Sequence, residues 1–120
     1  MNAKELDSFT RAYLECALWS STDGDTPLDH DYDVRSIAPV SLDHMREQCA
    51  AFQSENAAML GQAGDDSQNG HDFWLTRNGH GAGFWDRGYD TDVSQSLTDA
   101  AHACGEAYLY VGGDGLIHCA

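Results

Sequence analysis

Asn69 to Tyr89 reads NGHDFWLTRNGHGAGFWDRGY, and within it two aromatic-rich runs, HDFWLTR and HGAGFWD, flank the dipeptide Asn78-Gly79. Asn-Gly suits a two-residue type I′ turn, because both central positions of that turn need positive φ. The pattern predicts a β-hairpin. Counting outward from the turn sets the register. Arg77 opposes His80, Leu75 opposes Ala82, Phe73 opposes Phe84 and His71 opposes Asp86 on one face, with Trp74 across from Gly83 on the other. An indole laid over a glycine and a cross-strand Phe pair both make physical sense in such a ribbon.

On the N-terminal side, Leu6, Phe9, Tyr13 and Cys16 recur at intervals of three and four and predict an amphipathic helix over roughly 3–19, with Asn2 and Glu5 spaced as its cap. From Ser20 to Pro39 the periodicity vanishes into a long Asp-rich loop. Ser41 opens a second helix carrying Leu42, Met45, Cys49, Phe52 and Met59, stapled by Val40 against Met45 and closed by Gly61. Residues 62–70 favour turns. Beyond the central motif, Ser96 and Asp99 start a short third helix that Gly105 ends, and EAYLYV, the Gly112–Gly115 turn and LIHC form a second hairpin. The order α-α-β-β-α-β-β implies one α+β domain over 1–120, with an antiparallel sheet of about four strands covered on one face by three helices.

A chain of 120 residues is one ordinary domain, and a hydrophobic fraction of 42% is enough to bury a core. Charge is the outlying property: 20 Asp plus Glu against 6 Lys plus Arg give a net charge of -14. A duplex binder needs clustered cations to displace counterions, whereas Lys4 is the only lysine here and the arginines are scattered at 11, 35, 46, 77 and 87. Direct nucleic-acid binding and attachment to an anionic membrane are therefore disfavoured. No secretory leader or run of 18 apolar residues is present, so a cytoplasmic location is expected. Cys16, Cys49, Cys104 and Cys119 contain no C-x-x-C spacing and read as thiols, mostly buried, with Cys119 expected to be the exposed one.

Several chemistries fit the central motif only in part. A zinc site from His71, Asp72, His80 and Asp86 fails on distance, because in the hairpin register His80 lies about 20 Å from His71; a His71–Asp86 cross-strand pair is the cheaper reading. A His-Asn-His nuclease built from His71, Asn78 and His102 would have to hold a polyanion against a field that reaches about 10 Å. The glycines of NGHGAG open no helix as a dinucleotide fingerprint must, and an esterase would need the absent G-x-S-x-G. Asp29, Asp31 and Asp33 have the alternation of a calcium loop, but Val34 and Val40 stand where Gly and Glu are required. No metal, cofactor or catalytic residue is assigned.

The segments HDFWLTRNGHGAGFWDRG and GEAYLYVGGDG, with YLECALW and CAAF upstream, resemble a group of small uncharacterised proteins encoded by bacteriophages and other mobile elements. That resemblance covers most of the chain and implies a phage-type accessory protein. Small acidic proteins of such origin often inhibit a host restriction or CRISPR enzyme, the negative charge imitating a phosphate backbone. The expectation is a non-catalytic protein that binds a basic partner protein through Asp23, Asp25, Asp29, Asp31 and Asp33. The alternative is a small enzyme or ligand-binding domain using His71, Asp72, Arg77, His80 and Asp86. The fifteen Asp against five Glu also suit high salt or simple solubility, and Trp19, Trp85 and Tyr110 are candidates for an interface.

Overall fold

A computed structural model describes residues 6–120. The chain runs α1 (Ser8–Ser20), β1 (Thr22–Asp23), β2 (Thr26–Pro27), α2 (Pro39–Glu55), α3 (Ala57–Leu60), α4 (Asp66–Arg77), α5 (Thr91–Ala103), β3 (Leu109–Val111) and β4 (Ile117–Cys119), with 3-10 turns at Leu28–His30, Val34–Ser36 and Phe84–Asp86. The fold is mostly helical. Its strands form two separate antiparallel hairpins, β1–β2 and β3–β4, and not a four-stranded sheet. The α+β expectation is thereby overturned.

The error lies in the central motif, where HDFWLTR is the body of α4 and not a strand. Asp65 caps the helix by accepting a hydrogen bond from the Gln68 N–H at 2.8 Å, which satisfies one of the donors that every helix start leaves orphaned. At the other end Asn78-Gly79 is a helix stop. Gly79 takes φ +68, its N–H donates to the Thr76 carbonyl, and the His80 N–H donates to the Leu75 carbonyl at 3.0 Å. This is a Schellman closure, in which the left-handed residue is best supplied by glycine. The expected cross-strand pairs are therefore absent. Phe73 and Trp74 lie in the helix, Phe84 starts a 3-10 turn, and His71 and Asp86 do not face one another.

Helix α4 sits at the centre, packed mainly against α1 and also against α5 and the Phe84–Asp86 turn. Asn69, Gly70 and every residue from Asp72 to Arg77 are buried. Its approach to α1 is set at Gly70, where a β carbon would overlap the Phe9 carbonyl oxygen. Around that crossing the aromatic core assembles: Phe73 stacks on Phe52 with centroids 4.0 Å apart, Tyr13 lies 5.1 Å from Phe73, and Tyr13 meets Trp74 edge-on at 5.4 Å. Such edge-on and offset geometries suit the ring quadrupoles. The Trp74 indole N–H donates to Ser20 Oγ at 2.8 Å, so the one polar atom of this ring is satisfied.

The other elements lie near their expected places with shifted ends. The first helix is capped by Asp7, which accepts from the Thr10 N–H at 2.7 Å; the expected Asn2–Glu5 cap lies outside the described residues. The second helix starts at Pro39, a residue whose missing N–H is harmless in a first turn. It ends at Glu55, and Gly61 closes the short α3 instead. The third expected helix begins at Thr91, five residues before Ser96, and Gly105 follows its end at φ +77. The terminal hairpin forms as expected, pairing Leu109 with Cys119 and Val111 with Ile117. Within the long 20–39 segment the β1–β2 ribbon and two 3-10 turns give the loop local structure. No helix among the described residues is long and apolar enough to cross a membrane.

Replacing Gly70 by Ala is expected to lower stability by about 3 kcal/mol in urea unfolding, because overlap with backbone outweighs the gain of about 1 kcal/mol in helix propensity. Gly81→Ala, where a β carbon meets open space, is expected to stay within about 0.5 kcal/mol of the parent. Equal stabilities for the two variants would contradict the close crossing.

Candidate functional site

One surface groove of about 700 Å³ opens between α1 and the start of α4, lined among others by Glu15, Trp19, Asp29, Asp65, His71 and Arg87. A second hollow of about 440 Å³ shares Glu15 and Asp29 with it and extends along Arg11, Tyr32, Asp33 and Arg35. Helical geometry places Glu15 and Trp19 one turn apart on the same side of α1. The 3-10 turn Leu28–His30 buries Leu28 and thereby holds the exposed Asp29 at the groove edge. Trp19 is 58% exposed, and its ring lies 6.0 Å from that of His71, which reaches across from α4.

The charges around the groove differ in how far they are already engaged. Asp65 caps α4. Asp33 accepts from Arg35 Nη2 at 2.8 Å, and that hydrogen bond holds its carboxyl below the usual carboxylate range. Arg87 donates from Nη2 to Asp72 Oδ1 at 2.7 Å and from Nε to Oδ2 at 3.0 Å, a fork geometry in which the hydrogen bonds to Asp72 raise the guanidinium above its ordinary value. Among the described residues no hydrogen bond or ion pair engages the carboxylates of Glu15 or Asp29. Among the described residues these two carboxylates of the groove are open to a ligand.

The structure distributes the five acidic loop residues. Asp29 and Asp33 line the hollows; Asp23 lies in β1, Asp25 in the β1–β2 turn, and Asp31 pairs with His30 at 3.0 Å, all exposed. The five residues expected around a hairpin do not converge either. His71 faces the groove. Asp72 is fully buried behind it. His80 is exposed past the end of α4, and Asp86 caps its own turn by accepting from the Gly83 N–H. Among the described residues no group of three or more His, Cys, Asp or Glu is placed to hold a metal ion. Glu15, Asp65 and Arg87 were not singled out by sequence; the i, i+4 spacing of Glu15 and Trp19 on α1 is a signal that would have placed those two on one face.

Arg77 has a structural role. It is buried, and its four hydrogen bonds all go to neutral acceptors: the Gly105 and Cys104 carbonyls at 2.8 and 3.0 Å, the Tyr13 hydroxyl at 3.0 Å and Gln48 Oε1 at 3.0 Å. The first two belong to the residues just past α5, the Cys104 carbonyl at its C-cap and the Gly105 carbonyl beyond it, where a cation also meets the negative end of the helix dipole. Burial pushes the Tyr13 hydroxyl well above its ordinary range, although the neighbouring guanidinium acts the other way. The hydroxyl therefore stays protonated as a partner to Arg77.

The four cysteines are free; Cys16 and Cys49 are buried, Cys119 is half-buried and Cys104 is the exposed one, which corrects the expectation for Cys119. Burial, assisted by Asp72, pushes the Cys16 thiol up to about 12. Set against family models, curated proteins and solved structures, the chain matches none.

Two measurements probe this geometry. Arg87→Ala strands the buried Asp72 carboxylate and is expected to cost about 3 kcal/mol, most of which Asp72→Asn restores in the double variant; additive losses would contradict a specific pair. Alkylation of the native protein followed by peptide mapping is expected to label Cys104 first, Cys119 later, and Cys16 and Cys49 only on unfolding. Early labelling of Cys16 would contradict its burial.

Proposed function

We propose that the protein is a non-catalytic, phage-type accessory protein that binds a basic macromolecular partner through the acidic groove beside α1. The single observation behind this reading is the pair of unengaged carboxylates, Glu15 and Asp29, in a concave surface that also presents an exposed tryptophan. The chain's net charge of -14 supplies the long-range field that steers a cationic partner toward it. A nucleic-acid-binding host enzyme, such as a restriction or CRISPR effector, fits as partner class, because the surface it uses for phosphates is cationic. The Asp-rich loop contributes Asp29 directly, and its exposed Asp23, Asp25 and Asp31 add to the acidic field of the chain.

The reading predicts salt-sensitive association. Immobilised protein is expected to retain a nucleic-acid-binding enzyme from host lysate at ~50 mM salt and to release it by ~500 mM salt, as screening removes the steering field. Duplex DNA is expected to compete for the same enzyme. The double substitution Glu15→Gln, Asp29→Asn is expected to weaken capture about tenfold, in line with two charge-assisted contacts of about 0.7 kcal/mol each. Capture that persists at high salt, ignores DNA and survives the double substitution would refute the proposal.

A further inference from the structure

We propose that the Trp19–His71 end of the groove is an arginine-specific seat, into which the partner lays one guanidinium flat on the Trp19 indole while its N–H fork reaches Glu15 and Asp29. The inference rests on the function proposed above and names the chemistry that the groove selects. Three features carry it.

Trp19 is not part of the buried core cluster. It projects from the last turn of α1 with more than half its surface exposed, and the core beneath is completed by Tyr13, Leu14, Ala17 and Leu18. A large ring left exposed in a concavity gains free energy only when something covers it. The walls of this groove carry carboxylates, so the covering group that suits both ring and walls is a cation, and tryptophan is the aromatic that holds a cation best.

The small side chains of Ala12 and Cys16, on the same side of α1 as Glu15 and Trp19, also line the groove. They leave room for a side chain to enter beside the indole. His71, 6.0 Å from Trp19 at an interplanar angle of 34°, limits how the indole can swing, which keeps the platform ordered before a ligand arrives.

The acceptors are also sorted. Asp33 is taken by Arg35, Asp72 by Arg87 and Asp65 by the helix start, whereas among the described residues nothing engages Glu15 or Asp29. A guanidinium is planar and weakly hydrated, and it can stack flat while its in-plane fork donates sideways; an ammonium is a compact, strongly hydrated point charge with no planar face to stack and a larger desolvation cost. Arginine is therefore favoured over lysine at equal charge.

The test uses the full chain with Trp85→Phe, so that Trp19 is the exposed tryptophan reporter and Trp74 the buried one. Three peptides of equal length are titrated at low salt: one carrying arginines, one carrying the same number of lysines, and one uncharged and apolar. The arginine peptide is expected to perturb Trp19 emission and to bind about fivefold tighter than the lysine peptide. Trp19→Ala is expected to abolish that preference while leaving both charged peptides bound equally, and Trp19→Phe to retain part of it. Equal affinities for arginine and lysine in the parent overturn the arginine seat and leave the broader proposal standing, as does a preference that survives Trp19→Ala. Tightest binding of the apolar peptide overturns the seat as well. Failure of both charged peptides to bind removes the proposed function itself.

Discussion

At Gly70 the backbone of α4 lies so close to α1 that a β carbon would occupy the place of the Phe9 carbonyl oxygen. That contact fixes how the two most extensively packed helices cross, and the rest of the core is arranged around it. One helical step further on, Phe73 enters between Phe9, Tyr13 and Phe52, and Trp74 reaches Ser20 at the far end of α1. On the outer side of the same crossing, His71 comes beside Trp19 and opens the groove. Separating the helices by even the width of a methyl group would loosen an aromatic cluster whose packing depends on centroid distances of four to six ångströms.

A second constraint acts two turns along α4, where Arg77 joins four parts of the chain: α1 through Tyr13, α2 through Gln48, α5 through the carbonyls just past its end, and its own helix through Phe73, whose ring lies 5.6 Å from the guanidinium. Burying a guanidinium without a carboxylate is costly unless every donor finds an acceptor. Here the residues just past α5 offer two of those acceptors. Thr76 plays a smaller part of the same kind: its Oγ1 accepts from the Phe84 N–H, and Gly83 is small enough to let the returning chain come that close. The sequence HGAGFWD is thus a connection pressed against α4.

Much of the helical content was legible in the sequence because α1, α2 and α5 are surface helices with one apolar stripe each, and the terminal hairpin because EAYLYV alternates ahead of a glycine turn. The central helix was not legible for a physical reason. Nearly all of HDFWLTR is buried, its polar Asp72, Thr76 and Arg77 included, so its polar positions mark no solvent face with a period of 3.6, and the three consecutive apolar residues Phe73, Trp74 and Leu75 read equally as part of a strand. Asn-Gly deepened the ambiguity, since a residue with positive φ serves a hairpin turn and a helix stop alike. The deciding signal was upstream: Asp65 and Gln68 have the spacing of a helix-start cap, and from Gly70 the residues Phe73, Trp74 and Arg77 fall at i+3, i+4 and i+7. Of the groove, Trp19, His71 and Asp29 were singled out beforehand as candidate contact or site residues, and Asp33 of the adjoining hollow; Glu15 and Asp65 look like ordinary solvated positions until the fold brings their helices together.

The same accounting bears on what the acidity is for. Several carboxylates serve the fold: Asp7 and Asp65 at helix starts, Asp72 with Arg87, Asp33 with Arg35, and Asp114 with His118 at 3.0 Å. For Asp7, burial alone would raise the carboxyl, yet hydrogen bonds from Thr10 and Gln53 outweigh it and hold the group below its ordinary value. Asp114 is held down by His118 in the same way. The net charge therefore overstates what a partner would meet at short range, where an acceptor already paired offers little. Long-range steering counts every charge, but short-range selection depends on the few that are open and on the surface beside them. In this chain Glu15 and Asp29 are such open acceptors, and the exposed Trp19 beside them gives the groove a chemical preference that charge alone would not.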